Sequence, residues 1–156
     1  MAATSVNTRP LKISGVEFKN LRNNPDLVND FLDLDVRYYG KTYGEDFIAR
    51  RMYRYFNKSL DGVGLDYFGC YINNKLVASC YTYYSDGVVG LDGLLVAEEY
   101  RGNNLASNLI KYIQQYYQNC PIYLHAAQSE SAKDLYAKLG FEIIYQKHEY
   151  LKLDNE

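Results

Sequence analysis

The sequence predicts a mixed α/β fold, with a central twisted sheet of about seven strands flanked by four helices. Three observations predict it. Apolar segments follow one another as β-α-α-β-β-β-α-β-α-β-β along the chain. Three successive strands are joined by the short polar turns Asn73-Asn74 and Ser85-Asp86-Gly87, which makes that part of the sheet antiparallel. The later strands alternate with helices, which lays helices on the sheet. At 156 residues the chain fits one domain with a real core. Residues 1–9 are polar and read as a flexible lead into a single domain at 10–156.

The elements follow in order. Leu11 to Phe18 alternates apolar and polar residues and reads as the first strand. Pro25-Asp26 opens a helix, since proline at the first helical position gives up no needed amide. Leu27, Val28, Phe31, Leu32 and Leu34 then recur at near-helical spacing up to Gly40. A second helix spans Glu45 to Asn57, with Phe47, Ile48, Met52, Tyr55 and Phe56 as its apolar side. Asp61-Gly62-Val63-Gly64 is a loop. The meander comprises Tyr67 to Ile72, Lys75 to Tyr84, and Val88 to Val96, the last apolar enough for burial on both faces. Asn103 to Gln118 is a helix with Leu105, Leu109, Ile113 and Tyr116 on one face. A short strand, Pro121 to Ala126, precedes a helix from Ser129 to Leu139 closed by Gly140. Strands at Phe141 to Gln146 and His148 to Leu153 finish the chain.

Composition excludes several roles. A net charge of −2 gives no general basic face for nucleic acid. Cys70, Cys80 and Cys120 form no C-x-x-C pair, and His125 and His148 have no zinc spacing, so no metal is expected. Free thiols fit a reducing cytosol. No apolar run approaches the roughly 20 residues that span a bilayer. The start Met1-Ala2-Ala3-Thr4-Ser5 lacks the basic and apolar regions of a signal peptide, so a cytoplasmic protein without a membrane partner is expected.

The chemistry-bearing stretch is Leu94-Leu95-Val96-Ala97-Glu98-Glu99-Tyr100-Arg101-Gly102-Asn103-Asn104-Leu105-Ala106. A buried strand ends, a polar turn follows and a helix starts. Gly102 and Ala106 let a ligand approach the backbone, the helix start presents free amides, and Arg101 adds a forked cation. Such a turn binds pyrophosphate. It is not a P-loop, because no Gly-Lys-Ser/Thr follows, and it lacks the glycines of the dinucleotide fingerprint.

These residues resemble the GNAT acetyltransferase superfamily, whose central motif is Arg/Gln-x-x-Gly-x-Gly/Ala after a strand ending near Val. Arg101, Leu105 and Ala106 match it, with Val96 and Tyr100 at the expected offsets. Asn104 replaces the middle glycine, and asparagine also accepts a left-handed backbone. Ala132 to Phe141 resembles the later motif Asn-x-x-Ala-x-x-x-Tyr-x-x-x-Gly-Phe, with Ser129 where the family often has Asn. The resemblance covers residues 67–150 well and residues 10–60 in pattern only.

The resemblance implies an acetyl-CoA-dependent N-acetyltransferase that acts by direct attack of an amine on the thioester. Backbone groups of Leu94, Leu95 and Val96 would hold the pantetheine arm and supply an oxyanion donor. The turn Arg101, Gly102, Asn103, Asn104, Leu105, Ala106 would hold the pyrophosphate, with Ser107 and Ser129 completing the cofactor set. A β-bulge near Gly93 would open the cleft. Tyr136 would be the general acid for the departing thiolate, against the alternative of a core residue in the stripe Ala132, Leu135, Tyr136, Leu139. Asp92 is the candidate base. Desolvation in an apolar strand would raise its pKa, whereas a structural aspartate would bond a neighbouring backbone group. The stretch Leu91 to Val96 is also similar to Leu-Glu-Asp-x-x-Val of diamine acetyltransferases. A small-molecule primary amine is therefore the expected acceptor. A protein or peptide amine, and a non-catalytic acyl-CoA sensor, are the alternatives. Many relatives form homodimers.

The remaining polar candidates read as structural. They are His125, the basic helical patch Arg50, Arg51 and Arg54, and the helix-start acids Glu45 and Asp46. Tyr81 and Tyr83 should share one face of their strand, with Tyr84 opposite.

Overall fold

Antiparallel hairpins and one parallel crossover build the sheet, and helices cover both of its faces. The structure, a computed structural model, describes residues 1–22, 24–57, 64–126 and 130–148. In chain order the elements are β1 (Ala2–Ala3), β2 (Val16–Asn20), α1 (Pro25–Tyr43), α2 (Glu45–Asn57), β3 (Gly64–Ile72), β4 (Lys75–Ser85) and β5 (Val88–Val96). A 3-10 turn at Glu98–Tyr100 leads to α3 (Leu105–Tyr116), β6 (Ile122–Leu124) and α4 (Glu130–Lys138). The strands lie in the order β1-β6-β5-β4-β3-β2, six among the described residues rather than about seven. The β5–β6 pair is parallel and joined through α3, and the other pairs are antiparallel. No helix among the described residues is long and apolar enough to cross a membrane.

Strand alternation divides the core into two layers. From β3, Phe68, Cys70 and Ile72 point to the face where Leu105, Leu109, Ile110 and Ile113 of α3 pack, together with Leu139 and Phe141. Leu65, Tyr67 and Tyr71 point to the other face, against Phe31 and Leu34 of α1 and Ile48 and Met52 of α2. The meander turns form as the sequence predicts, with Asn73 and Asn74 at φ +50° and +59° and Asp86 at +51°. Tyr81 and Tyr83 meet edge to face at 5.8 Å, while Tyr84 stacks on Tyr117 at 5.2 Å.

The departures from expectation lie at the ends of elements. Helix α1 runs past Gly40 to Tyr43, and Gly40 lies against the start of α2, where a Cβ would come within 2.9 Å of Glu45 Cγ. Gly44, at φ +86°, ends the helix instead. The first long strand begins at Val16, not Leu11. Leu11 and Ile13 pack on the α3 side of the core, and the Lys12 amide donates to the Asn103 carbonyl, so their alternation reflects packing rather than pairing.

The largest correction concerns residues 1–9. Ala2–Ala3 pairs with β6, and Ala3 and Val6 are buried. The Val6 amide donates to Gln114 Oε1 at 3.1 Å, and Gln114 Nε2 donates to the Thr4 carbonyl at 3.0 Å. This segment pairs along the edge of β6 that β5 leaves free. The expected strand Phe141 to Gln146 keeps one bridge, Glu142 to Ala2, and leaves Ile143, Ile144 and Tyr145 exposed. Beyond His148, the last expected strand lies outside the described residues.

Candidate active site

Strands β5 and β6 pair only through Val89, Gly90 and Leu91. β5 then continues to Val96 beside β4. From Asp92 to Val96 its other edge has no strand partner among the described residues, so the backbone groups of that edge that side chains do not already engage are open to a ligand. The parting begins at a bulge. Tyr81 pairs with Asp92 and Ser79 with Leu95, so Cys80 alone stands opposite Gly93 and Leu94. Gly93 has φ +61°, and a Cβ there would collide with the Tyr81 ring, so conformation and space both require glycine. Asp92 Oδ1 accepts from the Gly93 amide at 2.7 Å, and the Cys80 thiol donates to the Asp92 carbonyl at 3.3 Å. Asp92 is exposed rather than desolvated, because the bulge carries its side chain out of the apolar layer.

A cleft of about 650 Å³ opens where the strands part. Leu94, Leu95 and Val96 line it from β5, and Leu105, Ala106 and Ser107 from the first turn of α3. Tyr100, Arg101, Gly102 and Asn104 line it from the connecting loop, and Leu135, Tyr136, Lys138 and Leu139 from α4 and its end. Tyr38 and Tyr39 reach it from α1, and Asn7, Thr8 and Arg9 from the segment before β2. The described lining thus holds three cations, Arg9, Arg101 and Lys138, and no carboxylate, in a chain of net charge −2.

The loop is built for an anion. Asn104 adopts the left-handed conformation, φ 63° and ψ 21°, that its position in the motif requires. No side chain caps α3, so its first-turn amides keep their donors. Nothing lies within 4 Å of where a Cβ on Gly102 would be, which leaves room beside that backbone. Arg101 folds back so that its Nε donates to the Val96 carbonyl at 3.2 Å. Asn103 Nδ2 donates to the Tyr100 carbonyl at 3.0 Å, and Ser107 Oγ to the Asn104 carbonyl at 2.9 Å, bracing the turn. Uncapped amides, open backbone and flanking cations fit the phosphates of a coenzyme A ligand.

The other end of the cleft gathers titratable groups. Burial pushes the Tyr136 phenol up to about 12, and nearby Cys80, Tyr39 and Asp92 add to the shift. Burial also raises Tyr39, with Asp35 adding to the shift, Arg51 opposing it and Asp92 adding again. Asp35 is only 2% exposed, and desolvation lifts its carboxyl to about 6 against the pull of Arg51, whose Nη2 stands 4.0 Å away. Arg51 is therefore partly turned to the core rather than belonging to a wholly solvated basic face. Tyr136 also packs on Phe141 at 5.7 Å, so it is at once a packing residue and a lining residue.

A latch holds α1 to this site. Tyr38 OH accepts from the Glu98 amide at 2.6 Å and donates to Glu99 Oε2 at 3.1 Å. Arg37 and Lys75 also reach Glu99, at 3.2 and 3.5 Å. The Glu99 carboxyl is held near 2, first by its own backbone amide, with Tyr38, Arg37 and Lys75 contributing.

Of the residues the sequence singles out, Leu94, Leu95, Val96, Arg101, Gly102, Asn104, Leu105, Ala106, Ser107 and Tyr136 line one cleft. Asn103 and Asp92 stand beside it without lining it, and Ser129 lies outside the described residues. Sequence reasoning missed Arg9, Tyr38, Tyr39, Lys138 and the buried Asp35. For α1 a signal existed: Asp35 and Tyr39 follow Phe31 at four-residue steps, on the buried face of the helix.

Comparison with known proteins agrees with this geometry. The acetyltransferase (GNAT) family model matches residues 28–141. No curated protein matches the chain in sequence. Among solved structures it is similar to a functionally unknown conserved protein from Staphylococcus epidermidis, with 20% identity and a TM-score of 0.66 over 81% of this chain. The chain spans only about half, 49%, of that protein's length. It is also similar to AAC(6')-Iy in complex with the bisubstrate analogue CoA-S-monomethyl-acetylneamine, with 17% identity and a TM-score of 0.70 over 90% of this chain and 99% of that one. A third is ribosomal-protein-alanine N-acetyltransferase from Brucella melitensis, with 15% identity and a TM-score of 0.61 over 88% and 97% of the two chains. At such identities these structures show the shared fold. The family model reaches from the first turn of α1 to the end of α4, through every element of the cleft except the segment bearing Arg9, and the chain belongs to the acetyltransferase (GNAT) family.

Proposed function

We propose that this enzyme transfers acetyl from acetyl-CoA to the primary amine of a small molecule by direct attack. The observation that carries the reading is the parting of β5 from β6 after Leu91, which opens a cleft lined by three cations and no carboxylate. The unpartnered edge of Leu94 to Val96 would pair with the pantetheine arm, and one of its amides would receive the developing oxyanion. One such donor contributes roughly 3 kcal/mol. The loop from Arg101 to Ala106, with Asn103 and Ser107 bracing it, would hold the diphosphate. As the C–N bond forms and the C–S bond breaks, the Tyr136 phenol would give its proton to the departing thiolate. Asp92, exposed at the mouth, would accept the proton of the attacking amine directly or through water.

The acceptor end favours a small cationic amine. Tyr39 and Tyr136 present aromatic rings there, with Asp92 close enough to act on both. The likeness to AAC(6')-Iy bound to an acetylneamine analogue supports the same class. The test is release of free coenzyme A across a panel of polyamines, aminoglycosides and peptides with free N-termini, using the whole chain. Turnover of at least one small amine with no peptide turnover is expected. Turnover of peptides alone would move the acceptor to protein amines. Tight acetyl-CoA binding with no turnover of any amine would leave an acyl-CoA sensor instead.

A further inference from the structure

One cation of the cleft belongs to no part of the family motif. Arg9 sits on the segment that crosses in front of α3, and side-chain amides hold that segment in place. Asn104 Nδ2 donates to the Pro10 carbonyl at 2.8 Å, and Asn108 Nδ2 to the Arg9 carbonyl at 2.9 Å. The Asn7 amide donates to the Leu139 carbonyl at 2.9 Å, which ties the same segment to the end of α4 beside Lys138. Asn104, which replaces the middle glycine of the central motif, therefore has a second task besides the left-handed turn: it is a tether. Arg9 is exposed and has no carboxylate within 4.0 Å among the described residues.

Resting on the cosubstrate reading above, we propose that Arg9 and Lys138 form a subsite for the ribose 3′-phosphate of coenzyme A. The ligand carries two separate anionic centres. The uncapped amides of α3 and Arg101 answer the diphosphate. Arg9 and Lys138 come from two other elements that the Asn7–Leu139 bond holds together, and no carboxylate in the described lining neutralises them. They answer the second centre, and Arg9 offers its forked donors to the phosphate oxygens. The segment before β2 is thus part of the cosubstrate site, and Asn104 and Asn108 position it.

The experiment is calorimetric titration of the whole chain with coenzyme A and with 3′-dephospho-coenzyme A. Wild type should bind the phosphorylated ligand about tenfold more tightly. Arg9→Gln and Lys138→Gln should each lower that ratio by roughly threefold or more while leaving dephospho-coenzyme A unaffected. Arg9→Lys should restore most of it, and Asn104→Gly should lower it by releasing the tether. Unchanged melting temperatures for the Arg9 variants confirm that they fold. Equal affinity of wild type for the two ligands overturns the subsite and leaves the cosubstrate reading standing. So does a loss in Arg9→Gln that falls on both ligands alike. Wild type that binds neither ligand overturns the cosubstrate reading and the subsite together.

Discussion

The two ends of the cleft are built in opposite ways. At the phosphate end, Leu94 to Ser107 supplies a strand edge, a turn and a helix start in one continuous run. At the other end, Tyr39 comes from α1 and Tyr136 from α4, with Asp35 of α1 and Asp92 of β5 close enough to shift Tyr39. On the proposed reading the first end binds chiefly through backbone groups, whose direction is fixed by secondary structure. The second exists only when distant segments meet, and on that reading it works through side chains. Binding of the cosubstrate and the chemistry performed on it should therefore separate under mutation.

The largest effect expected is on Tyr136. Its phenol stays protonated throughout the neutral range, since burial first and then Cys80, Tyr39 and Asp92 push it up to about 12. It therefore always has a proton to give. Tyr136→Phe keeps the ring on Phe141 and removes the proton. The rate should fall by roughly 100-fold to 1,000-fold with coenzyme A affinity unchanged. Steady-state rates and calorimetry on the same preparation check this. Affinity that falls in step with rate would mean that the two ends are not separable.

The same contrast explains what the sequence made legible. The motif around Arg101 and the turn residues Asn73, Asn74 and Asp86 are local, because each is a backbone requirement written in adjacent residues. The bounds of α2 and β5 match those read from the sequence, where the apolar pattern and the flanking turn residues Gly44 and Ser85-Asp86-Gly87 agree. Residues 1–9 misled because their few apolar residues show no period, yet two of them, Ala3 and Val6, find buried places. Phe141 to Gln146 misled in the opposite sense. Its pattern suits a strand, but among the described residues only Glu142 finds a bridge, to Ala2, and the availability of a partner is a tertiary fact. Asp35 was legible only through its spacing: it follows Phe31 by one helical turn on the buried face, although an aspartate on an amphipathic helix ordinarily marks the solvent side.

Gly93 joins the two ends, and Gly93→Ala is the sharper probe of how they are coupled. Alanine at φ +61° is strained, and its Cβ would displace the Tyr81 ring packed against the bulge. Destabilisation of about 3–4 kcal/mol is expected from backbone strain and overpacking together. Urea unfolding measures it. Because the bulge starts the parting of β5 from β6, coenzyme A affinity should fall as well. A destabilised variant with unchanged affinity would show that the cleft stays open without the bulge.

The smallest effect belongs to Asp35, and it distinguishes a folding role from a chemical one. Its folded carboxyl titrates near 6, against 3.8 in the unfolded chain, because desolvation outweighs the attraction of Arg51. Between these values the native state holds more protons than the unfolded state, so stability falls as pH rises from about 4 to about 6 and then levels off. The full span is about 2–3 kcal/mol. Asp35→Asn should remove this slope: measured as the difference between variant and wild type, its relative stability should climb across the window and stay constant above it. Arg51, still 35% exposed at its side chain, can return to water when its partner is neutral. If Asp35 acts only in folding, the variant keeps its rate at neutral pH. A rate that collapses while stability rises would place Asp35 in the acceptor chemistry, acting through Tyr39, and would move the acceptor site deeper under α1 than the exposed Asp92 suggests.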